Sequence, residues 1–487
     1  MQTVNFAPWE PDKAAIHPNH ATEAMGVLPV ASGYGPFPSF LERDSIDPLP
    51  DDFRGAYSFF DRRGAPATIV GTRTGLYQLK IPSWAALGDG YTPTPYPWNF
   101  ARYGEMIIAV NGMDRPVYAM ISGGEVGQFQ EIADAPVARS VDVVKEFVML
   151  GGVDVTKVRW SAIGNPLDWP APGSNDAQYK QADEQDFPDT GSLTAVSGAL
   201  PGIDVVLFTE RAVHRGQYIG SPLVFQFDII DKTRGALSAS SVVTGRNAIY
   251  YLSEEGFFAT NGASVQNISA ERVVKWFRKH CDLGRRPEIR GVLDQSSGFI
   301  LWTFPSAKAP RGMNDHFIVY NPVLDRWSYG KQEIVGIFAR VSDGYRLEEL
   351  NQFGPLDTLE YSLDDPYWKG GFYELAGITQ NGRFGTFSGL PMEALLETSE
   401  IGGKRMMLHG IRPLVDGGNI ATASMVYRNF QHETPTAKAC DTPSRFNGVC
   451  YSHVSTRYVR ARVHIPYGRS WTHAVGCDFL SEDEGAI

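Results

Sequence analysis

The chemistry this chain could perform rests on a few acidic, histidine and cysteine groups, and none falls into a catalytic spacing. His17 and His20 stand three apart in His17-Pro18-Asn19-His20. They could ligate a metal, but no third ligand follows nearby, and two surface histidines are the plainer reading. Asp44, Asp47, Asp51 and Asp52 could hold Ca²⁺, yet they lack the regular alternation of a calcium loop and read as a solvated acidic turn. Glu254-Glu255, Asp183-Glu184 and Asp204 could serve as the two carboxylates that glycoside hydrolysis needs on either side of the scissile bond. Sequence alone does not bring any two of them together. The four cysteines, Cys281, Cys440, Cys450 and Cys477, form no C-x-x-C pair. Cys440 and Cys450 bracket a loop that a disulfide could close; free thiols in a reducing cytosol are the alternative we favour. There is no G-x-x-x-x-G-K-S/T phosphate loop, no G-x-G-x-x-G, no H-E-x-x-H and no G-x-S-x-G. We therefore expect no enzyme, no metal and no cofactor.

Other residues point to contacts. Arg457-Tyr458-Val459-Arg460-Ala461-Arg462-Val463-His464-Ile465 alternates strictly, placing Val459, Ala461, Val463 and Ile465 on one face and Arg460, Arg462 and His464 on the other. Arg457, Arg460 and Arg462 could meet an acidic partner; a solvated face explains them equally well. Phe6 and Trp9 lie in a segment crowded with Pro8, Pro11, Pro18, Pro29, Pro36, Pro38, Pro48 and Pro50. Such density precludes long helices and central strands, while the aromatics argue against free disorder. Residues 1–54 are expected to be an ordered, extended arm, with Phe6 and Trp9 as candidate contacts to a body or a neighbour.

The elements that must position these groups are short strands. From about residue 55, apolar strands and polar turns recur as hairpins: 67–71 with 75–79, 106–110 with 116–120, 147–150 with 157–161, 205–208 with 212–215, 248–252 with 256–259, and 299–304 with 316–320. The spacing of roughly 40 to 50 residues is that of four-stranded propeller blades. Arg73-Thr74-Gly75-Leu76-Tyr77, Glu254-Glu255-Gly256-Phe257-Phe258 and Gln380-Asn381-Gly382-Arg383-Phe384 are three similar turns. The first strand of each hairpin shows little alternation, which suits burial on both faces. The fold class is thus all-β: a β-propeller of about six blades over 55–391, preceded by the arm and followed by an antiparallel β-sandwich over 392–487. An array of β-sandwiches is the rival. Ser269–Arg278 reads as a short helix inserted between blades, with Ser269 as a possible N-cap.

The 487 residues carry a net charge of -11, with 43% hydrophobic and 20% charged residues. The acidic balance is wrong for a protein that grips nucleic acid through its phosphates. No segment approaches the length of a membrane span. The start of the chain lacks a basic, apolar leader, so we expect folding in the cytosol.

Two stretches carry a family resemblance. Lys157-Val158-Arg159-Trp160-Ser161-Ala162-Ile163-Gly164-Asn165-Pro166-Leu167-Asp168-Trp169 is one. The other is Arg412-Pro413-Leu414-Val415-Asp416-Gly417-Gly418 with Arg457-Tyr458-Val459-Arg460 and Trp471-Thr472-His473-Ala474-Val475-Gly476; Asn321–Trp327 fits beside them. In order along the chain they resemble the tail nozzle, or packaged-DNA stabilisation protein (tail hub), of short-tailed bacteriophages. The resemblance implies a structural virion protein, assembled in the host cytoplasm, that forms a homohexameric ring below the portal and its adaptor ring. It would retain packaged DNA, provide the channel for its ejection without binding it tightly, and contact a tail needle, plug or fibres. A glycan-binding or glycan-hydrolysing propeller is the alternative.

Overall fold

The computed structural model describes residues 2–198, 200–342, 355, 363 and 371–483. Among them, six sheets of four or five antiparallel strands stand free as blades. The first holds Phe53–Phe60, Pro66–Thr72, Leu76–Lys80 and Ser83–Gly88, and the third holds Ser140–Val144, Phe147–Val153, Lys157–Trp160 and Asp183–Asp186. The second, fourth and fifth span 99–131, 193–231 and 243–267 in the same meander. The last combines Gly336–Val341, Tyr373–Ile378 and Phe384–Pro391 with Pro38–Glu42 from the arm. A further set, Arg290–Leu293, Ile300–Phe304, Asn314–Asn321 and Arg326–Ile334, completes the ring and also runs on into the C-terminal sheet. The expected propeller is present.

The first strands of successive blades touch around the axis. The ring closes where Gly336–Val341 meets Phe53–Phe60: the Val341 amide donates to Ser58 Oγ at 2.9 Å, and Phe53 stacks on Phe338 at 5.9 Å. The apolar runs read from the sequence are the second strands. Phe147–Val153, Val205–Thr209 and Ile300–Phe304 are buried at every residue, because neighbouring sheets cover both of their faces. The three similar turns each join a second strand to a third.

The C-terminal part is antiparallel, as expected. Ala394–Glu397, Ile401–Val415, Thr422–Arg428, Thr436–Ala439, Cys450–Ile465 and Ala474–Asp483 form one continuous sheet around a shared core. Cys450–Ile465 alternates as read, with Val459, Ala461, Val463 and Ile465 buried.

The arm is ordered and stitched through both parts. Gln2–Asn5 pairs with Ala474–Asp483, and Glu23–Met25 lies between Arg326–Ile334 and Ala394–Glu397. Pro38–Glu42 then forms the outermost strand of the last blade. Glu23–Met25, paired on both sides, contains no proline, which would break its ladder. Gly26, at φ 69°, follows it, and a Cβ there would collide with the Glu393 carbonyl oxygen; only glycine suits this crossing.

The inserted helix is Val274–His280, shorter than the sequence suggested. Ser269 does not cap it; its Oγ accepts from the Phe257 amide at 2.8 Å instead. The free amides of Lys275 and Trp276 donate to Asp12 at 2.7 and 2.8 Å. The cap comes from the arm, more than two hundred residues away, where no local pattern could show it.

Candidate functional site

The groups proposed for contact divide sharply by burial. Arg460 and Arg462 leave the same strand on the polar face and close on one carboxylate. Arg460 Nη1 lies 2.9 Å from Glu397 Oε1, and Arg462 Nε lies 2.6 Å from Glu397 Oε2. The register dictates this, since Glu397 is the cross-strand partner of Arg462. Thr22 Oγ1 donates to Glu397 Oε1 at 2.9 Å, so the arm joins the same cluster. Glu397 is 3% exposed. Two of the three arginines are thus held by this chain's own acid. Arg457 is different: it is exposed, has no ion-pair partner among the described residues, and lies 5.7 Å over the Phe430 ring. Of the basic row it is the residue that remains open to a partner.

Phe6 and Trp9 face inward. They are 2% and 0% exposed, and Trp9 packs edge-on to Trp276 at 4.9 Å and stacks on Tyr329 at 5.1 Å. Such aromatic pairs add about 0.5–1.5 kcal/mol beyond their burial. The Trp9 contacts are to the inserted helix and the strand Arg326–Ile334, and Phe6 lies in the same core of this chain, so in this conformation they are not surface for a neighbour. Around them Glu10 pairs with Lys13 at 2.6 Å and Arg272 at 3.4 Å, and the Glu400 amide donates to Ala15.

Among the described residues, several acids singled out from the sequence are held in ion pairs or turns. A cleft of about 460 Å³ opens between a blade turn and the inserted helix, lined by Leu252, Glu254, Glu255, Phe277, Arg278 and Arg286. Its carboxylates are neutralised: Glu254 by Arg286 at 3.4 Å, Glu255 by Arg234 at 3.1 Å. Glu184 pairs with Lys157 at 3.0 Å and Asp204 with Lys145 at 3.1 Å, each within or beside its own blade. Asp51 accepts from the Thr74 amide and hydroxyl at 3.0 and 2.8 Å, which fixes a turn; Asp52 lies 3.6 Å from Arg54. His17 and His20 lie ring to ring at 5.9 Å, and His20 is buried, which holds its pKa below the usual histidine value. Among the described residues no three metal-ligating side chains converge. All four cysteines are free thiols.

The segment 157–169 folds as its pattern suggests. Strand Lys157–Trp160 ends, Ala162 bridges to Asn165, and Trp169 folds back to bury itself, its Nε1 donating to the Pro166 carbonyl at 3.0 Å. Arg159 ties the return by donating to the carbonyls of Trp169 and Pro170 at 3.2 and 2.9 Å.

No protein-family model matches the chain, and no curated protein matches it. Among solved structures it is similar to BamB from Moraxella catarrhalis, at 11% identity over 74% of this chain and 93% of that chain, with a TM-score of 0.36. It is also similar to U3-55K, at 7% identity over 62% and 89% with a TM-score of 0.38, and to the WD40 repeats of RRP9, at 8% identity over 62% and 89% with a TM-score of 0.37.

Proposed function

We propose that this chain is a structural subunit of a bacteriophage tail, a nozzle protein that assembles as a ring below the portal and adaptor and lines the path of the ejected DNA. The observation that carries this reading is the one-piece construction of the body. A blade shares its sheet with the C-terminal strands, and the arm is hydrogen-bonded into both. Such a body suits a load-bearing ring segment, because propeller and sheet cannot move apart without breaking strand pairing. The ordered segments 157–169 and 412–476 that resemble tail nozzles add to it. The net charge of -11 suits a wall past which a polyanion slides without sticking. With Phe6 and Trp9 turned inward, the exposed Arg457–Phe430 corner of the C-terminal sheet becomes the candidate contact to a ring neighbour or the adaptor. Rings of this kind close through head-to-tail contacts.

The test is mass measurement by light scattering, first of the chain alone and then with purified portal–adaptor complexes. Binding as a ring of defined copy number supports the proposal, even where the free chain is a monomer. A monomer that ignores those complexes and instead binds or cleaves polysaccharide overturns it.

A further inference from the structure

At the propeller rim where each blade begins, two first strands open on arginine. Arg54 is the second residue of Phe53–Phe60, and Arg290 is the first of Arg290–Leu293. The blade between them begins at Gly336, and a side chain there would collide with the Phe53 ring. The gap lets Phe53 lie under Arg290, whose guanidinium sits 5.3 Å from the ring centroid. Arg290 has no hydrogen bond or ion pair from its side chain among the described residues. Burial, and then the positive charge of Arg54, draw its pKa down to about 10, and Glu288 offsets this only in part. Glu288 is itself engaged, 3.0 Å from Arg285 Nε.

Arg54 donates to the Thr94 and Phe53 carbonyls at 3.2 and 3.0 Å. Among the described residues its carboxylate partner is Asp52, 3.6 Å away and 66% exposed, a pairing that water largely screens. Through Thr94, whose hydroxyl accepts from the Tyr96 amide, the patch reaches Arg139. The Arg139 guanidinium lies 4.7 Å over the Tyr96 ring, again with no ion pair among the described residues. In a chain with eleven more acids than bases, Arg290 and Arg139 rest on aromatic rings with no carboxylate partner among the described residues, and Arg54 has only an exposed, screened one. Holding like charges together in a half-buried site is costly unless an anion joins them.

We propose that this rim is a binding site for a phosphate dianion, gripped by Arg290 and Arg54 with Arg139 at its edge. Guanidinium forks match phosphate oxygens in pairs, and the uncompensated charge suits a divalent oxyanion better than a carboxylate. The site does not depend on the tail assignment.

The experiment follows thermal unfolding of the full chain during titration with inorganic phosphate at constant ionic strength, with acetate and chloride as controls. A saturable rise in melting temperature with phosphate alone is expected. Arg290→Gln should weaken the apparent affinity about tenfold or more, Arg54→Gln should act alike, and Arg457→Gln should leave it unchanged. Arg290→Lys, which keeps the charge and loses the fork, should fall between, and it serves if Arg290→Gln does not fold. An oligonucleotide lacking terminal phosphates supplies a second arm. Competition with phosphate assigns the site to a nucleic-acid backbone, and its absence assigns it to a free phosphate or phosphomonoester. No saturable effect, an equal effect of acetate, or undiminished affinity in Arg290→Gln overturns the proposal.

Discussion

Replacing Glu397 by Gln should weaken the whole body, because one carboxylate compensates two arginines and anchors the arm. Removing one partner of a buried ion pair costs about 3–5 kcal/mol. Two features of the structure lower that figure. The Arg462 side chain is 40% exposed and can turn to water, whereas that of Arg460, at 13%, cannot. Glu23 is also relieved, since the Glu397 charge repels its carboxylate. A net loss of about 2–3 kcal/mol results. Urea unfolding followed by tryptophan fluorescence measures it, and urea leaves the ion pairs unscreened. Amide exchange should rise first at Glu23–Met25, the arm strand beside the cluster. Replacing Glu397 and Arg460 together by Met should recover part of the loss, as it removes the stranded charge. A loss below about 1 kcal/mol, or an equal loss from Arg457→Gln, would refute the reasoning that the basic row is held internally.

Three further outcomes follow from the same contacts. Asp12→Ala should cost about 1 kcal/mol, with faster amide exchange at Lys275 and Trp276 and little change elsewhere. Glu23 has its pKa raised, first by burial and then by Glu397, so the folded state binds the extra proton. Its contribution therefore grows as pH falls from neutrality through the raised value, and Glu23→Gln should stabilise the protein at neutral pH and flatten that stretch of a urea-midpoint profile. Burial lifts the Cys281 and Cys440 thiols to about 12 and raises those of Cys450 and Cys477 as well. All four should react slowly with a disulfide reagent in the native protein and fully in denaturant.

The legible part of the fold was the part with strong local patterning. Second and third blade strands show as apolar runs around glycine turns, and 450–465 shows by alternation. Fourth strands such as Asp183–Asp186 and Ser83–Gly88 are short and polar or half-exposed, and pairing to a neighbour creates them more than propensity does. The arm's prolines correctly excluded helices. They could not reveal that Pro38–Glu42 completes a blade, because its partner lies more than three hundred residues away. Phe6 and Trp9 look like anchors for a body or a neighbour, and only the three-dimensional path shows that they pack into the body of the same chain. Glu397 carried no local signal at all, and its role depends on strand register.

The completion of the last blade by Pro38–Glu42 against Phe384–Pro391 also dictates when the protein can exist. During translation the arm strand leaves the ribosome early, and its partner follows only after some 340 further residues. At usual elongation rates that is a wait of roughly 20–70 s. Throughout it the nascent chain must keep an unpaired edge from joining its neighbours. A chain that stops short of residue 384 can build most blades and never the whole of the last one, so prematurely terminated products are marked by an open edge that a complete molecule lacks.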